Sequence, residues 1–355
     1  MLVKSMPSTV RTHIIRCAAH QYKEGDVQHW FLPGGVGVRT TCSDDMLYLP
    51  LVVAEYINAT GDSGILDVKV KWLVSEDSGI EKCEKPQKSE VSDTVYEHCM
   101  RAVERSMKRG EHGLPLLGGC DWNDGFSAAG AGGKGESVLN CFFFVYVYEK
   151  FLPFVREHEA ARTIRRRCAK LREAALGCFE NGYFLRAFDD DGKKISRIDA
   201  AVQAYAALSS IAPEAMVDSA LSKAFDVLYD RELQILKLFS PPFEGDDRSI
   251  GYIQAYNPGV RENGGQYTHA AAMFLLALWR QGKRSEAFEL LAALNPAQRM
   301  SAEGDRHLAM TYRSEPYALC GDVYSNPDMP GRGGWSHYTG SAAWYYNCIA
   351  EMFGL

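Results

Sequence analysis

Val138-Leu-Asn-Cys-Phe-Phe-Phe-Val-Tyr-Val-Tyr-Glu-Lys-Phe-Leu-Pro-Phe-Val155 is too apolar and too aromatic to lie on a surface. A stretch of this length and character predicts a central helix buried among others. Working outward, a Gly/Ala-rich loop (residues 128–135) precedes it and a basic helix near Arg162–Leu176 follows. Upstream, Pro7 and Ser8 open a helix over 7–20 with Val10, Ile14, Cys17 and Ala18 on one face. Ser43 reads as the cap of a second helix that starts at Asp44-Asp45, buries Leu47, Leu49, Val52 and Val53, and ends at Gly61. Ser92-Asp93 reads as the start of a third, through Tyr96, Cys99, Val103 and Met107 to Gly110.

Downstream the helical interval continues. Ile198, Val202, Tyr205 and Leu208 step by it, as do Val217, Leu221, Ala224 and Leu228. Further helices are predicted over 268–280 and 284–294, separated by a Gly-Lys turn, and over roughly 340–352. Strand signals are few: Tyr183–Phe188 suggests a short hairpin, and the charged residues 76–90 with Pro86 suggest an exposed excursion. No repeat of fixed period is present. The expectation is one all-α domain over 1–355. Helix pairs nested in a closed barrel, with site loops at one end, fit it best.

Composition narrows the function. A net charge of −6 in 355 residues leaves no basic excess for nucleic acid. No run of about 18 apolar residues suggests a membrane span, and the first residues lack the apolar core of a signal peptide. The ten cysteines include no Cys-x-x-Cys pair and fit neither a zinc site nor a small disulfide scaffold. Most sit on apolar helical stretches as small hydrophobes, which suggests a reducing cytoplasmic setting.

Three stretches carry chemistry. Gly118–Phe126 reads Gly-Gly-Cys-Asp-Trp-Asn-Asp-Gly-Phe, with Asp121 and Asp124 flanking Trp122. An indole face suits a pyranose ring, and a carboxyl group can protonate a glycosidic oxygen. A plain Asx-rich turn ahead of a helix is the competing reading. Residues 256–269, Tyr-Asn-Pro-Gly-Val-Arg-Glu-Asn-Gly-Gly-Gln-Tyr-Thr-His, gather Tyr256, Arg261 and Glu262 and place His269 at a helix start, where an anion is favoured. A surface ion pair and an ordinary cap account for them equally well. Residues 331–341, Gly-Arg-Gly-Gly-Trp-Ser-His-Tyr-Thr-Gly-Ser, offer hydroxyls at Tyr338, Thr339 and Ser341 beside Gly340, an arrangement suited to an oxyanion. A glycine-rich turn explains that stretch too. No Gly-x-Ser-x-Gly elbow or His-Glu-x-x-His is present. His29, His98 and His112 lack metal-ligand spacing and read as structural or exposed; no metal is expected.

Together and in this order, the three stretches resemble glycoside hydrolase family 94, the inverting phosphorylases of β-linked glucosides. Glu24–Trp30, with Gly37-Val38-Arg39-Thr40 and Ser43-Asp44-Asp45, is most similar to the family's β-1,2-glucan branch, which holds 1,2-β-oligoglucan phosphorylases and a domain of cyclic β-1,2-glucan synthases. The resemblance spans essentially the whole chain and implies an (α/α)6 barrel. It further implies Asp124 as general acid and Trp122, with Asp121 beside it, at the wall of the donor-sugar subsite. Tyr256, Arg261 and Glu262 would lie on the acceptor side, and His269, Thr339 and Gly340 around phosphate. Phosphate is then a co-substrate and no cofactor is expected. An inverting displacement needs an acid and a nucleophile on the opposite face of the sugar, and phosphate removes the need for a protein base. Asp124 must hold a proton near neutrality, so burial against Trp122 or the neighbouring Asp121 is expected to raise its pKa.

The family's N-terminal β-sandwich and an upstream donor-subsite segment have no counterpart here, so the resemblance implies a fragment of a longer protein. Homodimers occur among the relatives. Two rival readings remain: an inverting hydrolase using Glu262 or Glu315 as base, and a non-catalytic glucan-binding remnant.

Overall fold

The computed structural model describes residues 2–75, 82–245, 249–301 and 306–355. They form two units: Leu2–Asp124 with Gly130–Ala174, and Gly125–Ala129 with Ala175–Leu355.

Helices dominate the first unit. Pro7–Ala18 packs on Tyr48–Thr60, which in turn packs on Val95–Arg105 and Val138–Phe151. The last of these is the expected central helix. Phe142, Phe143, Phe144, Tyr148 and Phe151 are all fully buried along it, each contributing roughly 1.5–3 kcal/mol by leaving water. Ser137 caps it, accepting a hydrogen bond from Asn140 N–H at 3.0 Å. His158–Leu176 follows and turns Ile164 and Leu171 inward.

Two boundaries differ from the sequence reading. Ser43 caps nothing: a 3-10 turn, Asp45–Leu47, precedes Tyr48–Thr60, and Ser43 Oγ instead bonds the carbonyls of Leu117 (2.8 Å) and Cys120 (3.1 Å). Ser92 and Asp93 belong to a strand, Gln87–Thr94, that pairs antiparallel with Lys69–Val74. The third helix therefore begins at Val95, where Thr94 and Glu97 form a reciprocal capping box, and it ends at Arg105 rather than at Gly110. Of the expected excursion, residues 76–81 lie outside the described residues.

Ala200–Leu208 in the second unit packs on Glu214–Leu228 and on Thr268–Arg280. Thr268–Arg280 is buried from Ala270 to Leu278 and also carries Arg284–Leu294 and Thr339–Phe353. Asp199 caps Ala200–Leu208 through Ala201 N–H (2.8 Å) and Val202 N–H (3.2 Å), and Arg186 Nε lies 3.1 Å from its carboxylate in the unit's interior. Tyr183–Phe184 and Ala187–Phe188 do not pair with each other. The former pairs with Phe179–Glu180 and the latter with Lys194–Ile195. No helix among the described residues is long and apolar enough to cross a membrane.

Candidate functional site

In the first unit the loop before Asp124 is held from behind. Gly118 has φ +65°, and a Cβ there would stand 2.3 Å from the Thr41 carbonyl oxygen, so only glycine fits. Gly119 N–H donates to the same carbonyl at 3.1 Å, and Ser43 N–H donates to the Cys120 carbonyl at 2.9 Å. Cys42 and Cys120 form a disulfide across these two segments. This corrects the cysteine reading for one pair: the backbone bonds between segments distant in sequence bring the two thiols to one place. The other eight cysteines are not in disulfides.

Asp121 is fully buried and braces the loop, accepting Asn123 N–H at 3.1 Å and the Ser137 hydroxyl at 2.6 Å. The turn and the central helix's cap are thereby tied together. Trp122 is half-buried above it. Asp124 opens the turn Asp124–Phe126 with its side chain 51% exposed. The expected burial of this carboxyl against Trp122 is not found, because the turn carries it outward while Asp121 points in.

What stands beside Asp124 is an imidazole. His29 Nε2 is 3.6 Å from Asp124 Oδ2, and His29 Nδ1 is 2.8 Å from Asp45 Oδ2. Thr40 Oγ1 donates to that same Asp45 oxygen at 3.3 Å. The two carboxylates, Asp124 and then Asp45, push the His29 pKa up to about 11 against the opposing effect of burial, so the ring is cationic at neutrality. The sequence reading grouped His29 with structural or exposed histidines. That holds for His98, buried between Gln21 and the Val70 carbonyl, and for His112, paired with Glu136. It fails for His29. The signal available was its place in the polar, aromatic loop Glu24–Trp30. Donor atoms of His29, Cys42 and Asp124 lie within 4.8 Å of one another, but the Cys42 sulfur is committed to the disulfide and leaves only two groups for a cation.

The second unit joins the other two stretches. Gln266–Tyr267 pairs with Asp322–Val323, and Val323 and Cys320 bridge to Gly333 and Ser336. The Arg261 guanidinium lies between two rings, 4.9 Å from the centre of Tyr256 and 4.5 Å from that of Trp335. Its Nε is 3.4 Å from Glu262 Oε2, so Glu262 serves as its counter-charge. Glu315, the other base suggested for a hydrolase, is hydrogen-bonded by Ser336 and Ser314 hydroxyls, which hold its carboxyl below the usual range.

Tyr267, Trp335 and Tyr338 make edge contacts that lead from Arg261 towards His269, whose ring centre is 6.0 Å from that of Tyr338. Thr339 is the first residue of the helix Thr339–Phe353, and a Cβ on Gly340 would lie 3.1 Å from His269 Nδ1. The imidazole thus sits on the open first turn of a 15-residue helix, where unpaired N–H groups favour an anion. Burial pulls the His269 pKa down to about 4, leaving a neutral ring.

Asp322 was not singled out as a site residue. It is fully buried, receives Arg261 N–H at 3.1 Å, and lies so close under Gly334 that a Cβ there would stand 1.9 Å from its Oδ1. Desolvation raises its pKa to about 7 against the lowering effect of Arg261. Between about pH 4 and 7 the unfolded chain ionises this carboxyl while the folded chain keeps its proton, so its contribution to stability falls as pH rises. Asp322→Asn should remove that slope, which approaches about 1.4 kcal/mol per pH unit. Urea midpoints of parent and variant at pH 5 and pH 8 measure it, and equal pH dependence in both would refute it.

The first unit thus presents an exposed carboxyl paired with an imidazole, and the second a helix start bearing His269. The chain's family is shown by comparison. The profile described as Glycosyl hydrolase 94 superfamily, catalytic domain, matches residues 1–354, and the chain belongs to that family. It is 38% identical to the cyclic beta-(1,2)-glucan synthase NdvB of Rhizobium meliloti (strain 1021) over 97% of its own length and 13% of the relative's. It is 26% identical to the 3-O-beta-D-glucopyranosyl-beta-D-glucuronide phosphorylase of Paenibacillus borealis, covering 95% of this chain and 43% of that protein. The chain therefore spans less than half of either relative. Its fold matches a rhamnosidase from Klebsiella oxytoca with rhamnose bound, at TM-score 0.59 and 14% identity, over 98% of this chain and 55% of that one.

Proposed function

We propose that the chain is a phosphorolytic domain with an (α/α)6 barrel architecture over 1–355, acting on a β-linked glucan. In this reading the glycosidic C1–O bond breaks as an oxygen of inorganic phosphate bonds C1 from the opposite face. The products are α-glucose 1-phosphate and a shortened glucan, and the configuration inverts. Asp124 donates the proton to the leaving oxygen. Trp122 provides an apolar wall for the transferred glucose, with Asp121 bracing its loop. Arg261, between Tyr256 and Trp335 and balanced by Glu262, contacts the acceptor sugar. His269, Thr339 and Gly340 take the phosphate. A β-1,2 linkage is favoured by similarity to the glucan synthase. A cytoplasmic location accords with a substrate pool of free phosphate.

One observation carries the reading: His269 lies against Gly340 on the first turn of the helix Thr339–Phe353. Phosphate uses such a donor set fully, whereas water would leave it unused. The test is release of glucose 1-phosphate from β-1,2-glucan oligomers, cellobiose and chitobiose, with and without phosphate. Phosphate-dependent release from the β-1,2 oligomers is expected. Free glucose formed without phosphate would replace the reading with a hydrolase, and binding without turnover would reduce it to a glucan-binding role.

A further inference from the structure

Asp124 is half exposed, yet its role requires a proton to be at hand each time an aglycone leaves. The first unit holds a device suited to that need. Asp45 Oδ2, 2.8 Å from His29 Nδ1, fixes Nδ1 as the N–H donor and turns Nε2 towards Asp124 Oδ2, 3.6 Å away. Resting on the phosphorolytic reading above, we propose that His29, held by Asp45, is the positioning residue and proton reservoir of Asp124.

With Nδ1–H committed to Asp45, Nε2 and Asp124 hold one proton between them. It sits either on the ring facing a carboxylate, or on the carboxyl group donating to Nε2. Their separation is that of an ion pair which closes to a hydrogen bond when the aglycone is in place. The surroundings favour keeping that proton. Asp124 and Asp45 face the ring, and behind them the buried Asp44 interacts with Asp45, Asp121 and Asp124. Across the cavity that His29 lines stand His13, Cys17 and His20, and burial lowers the His20 pKa. Burial first and then Asp45 raise the Asp44 pKa, and the groups that raise the His29 pKa are Asp124 and Asp45.

The step balances. The C1–O electron pair stays on the departing oxygen, which takes the proton from Asp124. That proton is the one shared with Nε2, relayed from the ring through Asp124, so a carboxylate and a neutral ring remain, with Nδ1–H still pointing at Asp45. The hydrogen phosphate oxygen that bonds C1 loses its proton to solvent, and uptake of one proton returns the pair to its starting state. His29 never touches substrate; it acts through Asp124.

The test uses the full chain. In the parent, kcat/KM for phosphorolysis should hold to alkaline pH. His29→Gln keeps hydrogen-bonding capacity but has no transferable proton. It should lower kcat at least tenfold and move the alkaline limb down by two pH units or more, with KM for phosphate unchanged. Asp45→Asn should move the limb the same way by a smaller amount. An alkaline limb at the same pH in parent and His29→Gln overturns the proposal. Nitrogen-15 NMR of the His29 ring supplies a second arm that needs no turnover. Titration well above 6.5, dropping in both Asp45→Asn and Asp124→Asn, upholds the shared proton, and titration near 6.5 in all three overturns it. A chain that releases no glucose 1-phosphate sinks the phosphorolytic reading alone, and the NMR result then decides the fate of the His29–Asp124 pair.

Discussion

Asp124→Asn should lower kcat for phosphorolysis by about three orders of magnitude, the usual scale for a general acid, while glucan affinity changes by less than about twofold. Asparagine matches the aspartate in shape and keeps the turn Asp124–Phe126, but it has no proton to give. A sugar with a poor leaving group depends on that proton at the moment the C1–O bond lengthens. Binding rests on other groups, so the loss should appear in kcat and not in the affinity for glucan. An activated glucoside whose leaving group needs no proton should recover much of the rate. The measurement is steady-state kinetics of parent and variant on a natural oligomer and on such a glucoside. Parent-like kcat on the natural oligomer would remove Asp124 from the acid role, and equal losses on both substrates would point to a distorted turn instead.

Of the two causes expected to act on Asp124, burial against Trp122 is absent, since its side chain is 51% exposed. Local sequence shows two aspartates around Trp122 but not which one faces inward. That depends on Ser137, which caps the central helix and offers its hydroxyl to Asp121. With Asp121 drawn in, Asp124 is left at the rim, and the group that answers to it is His29 from a loop far upstream.

Much of the helical framework was legible because 3.6-residue periodicity is a local signal. Thr268–Arg280 and Arg284–Leu294 fall where the apolar interval and the Gly-Lys turn put them, and Val138–Phe151 is buried as its composition requires. The missed strand pair had a signal too: in Val68-Lys-Val-Lys-Trp72, Val70 and Trp72 are buried while Lys69 and Lys71 are exposed, an alternation of period two. The charged residues after it masked its partner strand, and Thr94 rather than Ser92 makes the capping box. The Cys42–Cys120 bond, the His29–Asp45 pair and the burial of Asp322 under Gly334 arise from contacts between distant segments. No spacing rule reaches them. In the second unit the two glycine-rich stretches could be read as oxyanion and sugar contacts, but their junction through Gln266–Tyr267 and Asp322–Val323 became visible only in the fold.

His269→Ala should raise KM for phosphate by about 10- to 100-fold and leave the glucan's own binding nearly unchanged. A hydrogen bond to a charged group is worth about 1.5–3 kcal/mol, and each 1.4 kcal/mol is a factor of ten. Because burial holds the His269 pKa near 4, the ring meets phosphate as a neutral donor and not as a cation. With a neutral ring in the free site, salt should weaken phosphate binding no more in the parent than in His269→Ala. The contact also depends on Gly340, since a methyl there would stand 3.1 Å from Nδ1 and displace the ring from the helix start. Gly340→Ala should accordingly raise KM for phosphate in the parent and add little in the His269→Ala background, the non-additivity expected of residues that act together. Initial rates across a phosphate series for the two single variants and the double variant measure this. Full additivity would separate Gly340 from His269, and an unchanged KM for phosphate in His269→Ala would remove the histidine from the anion's contacts.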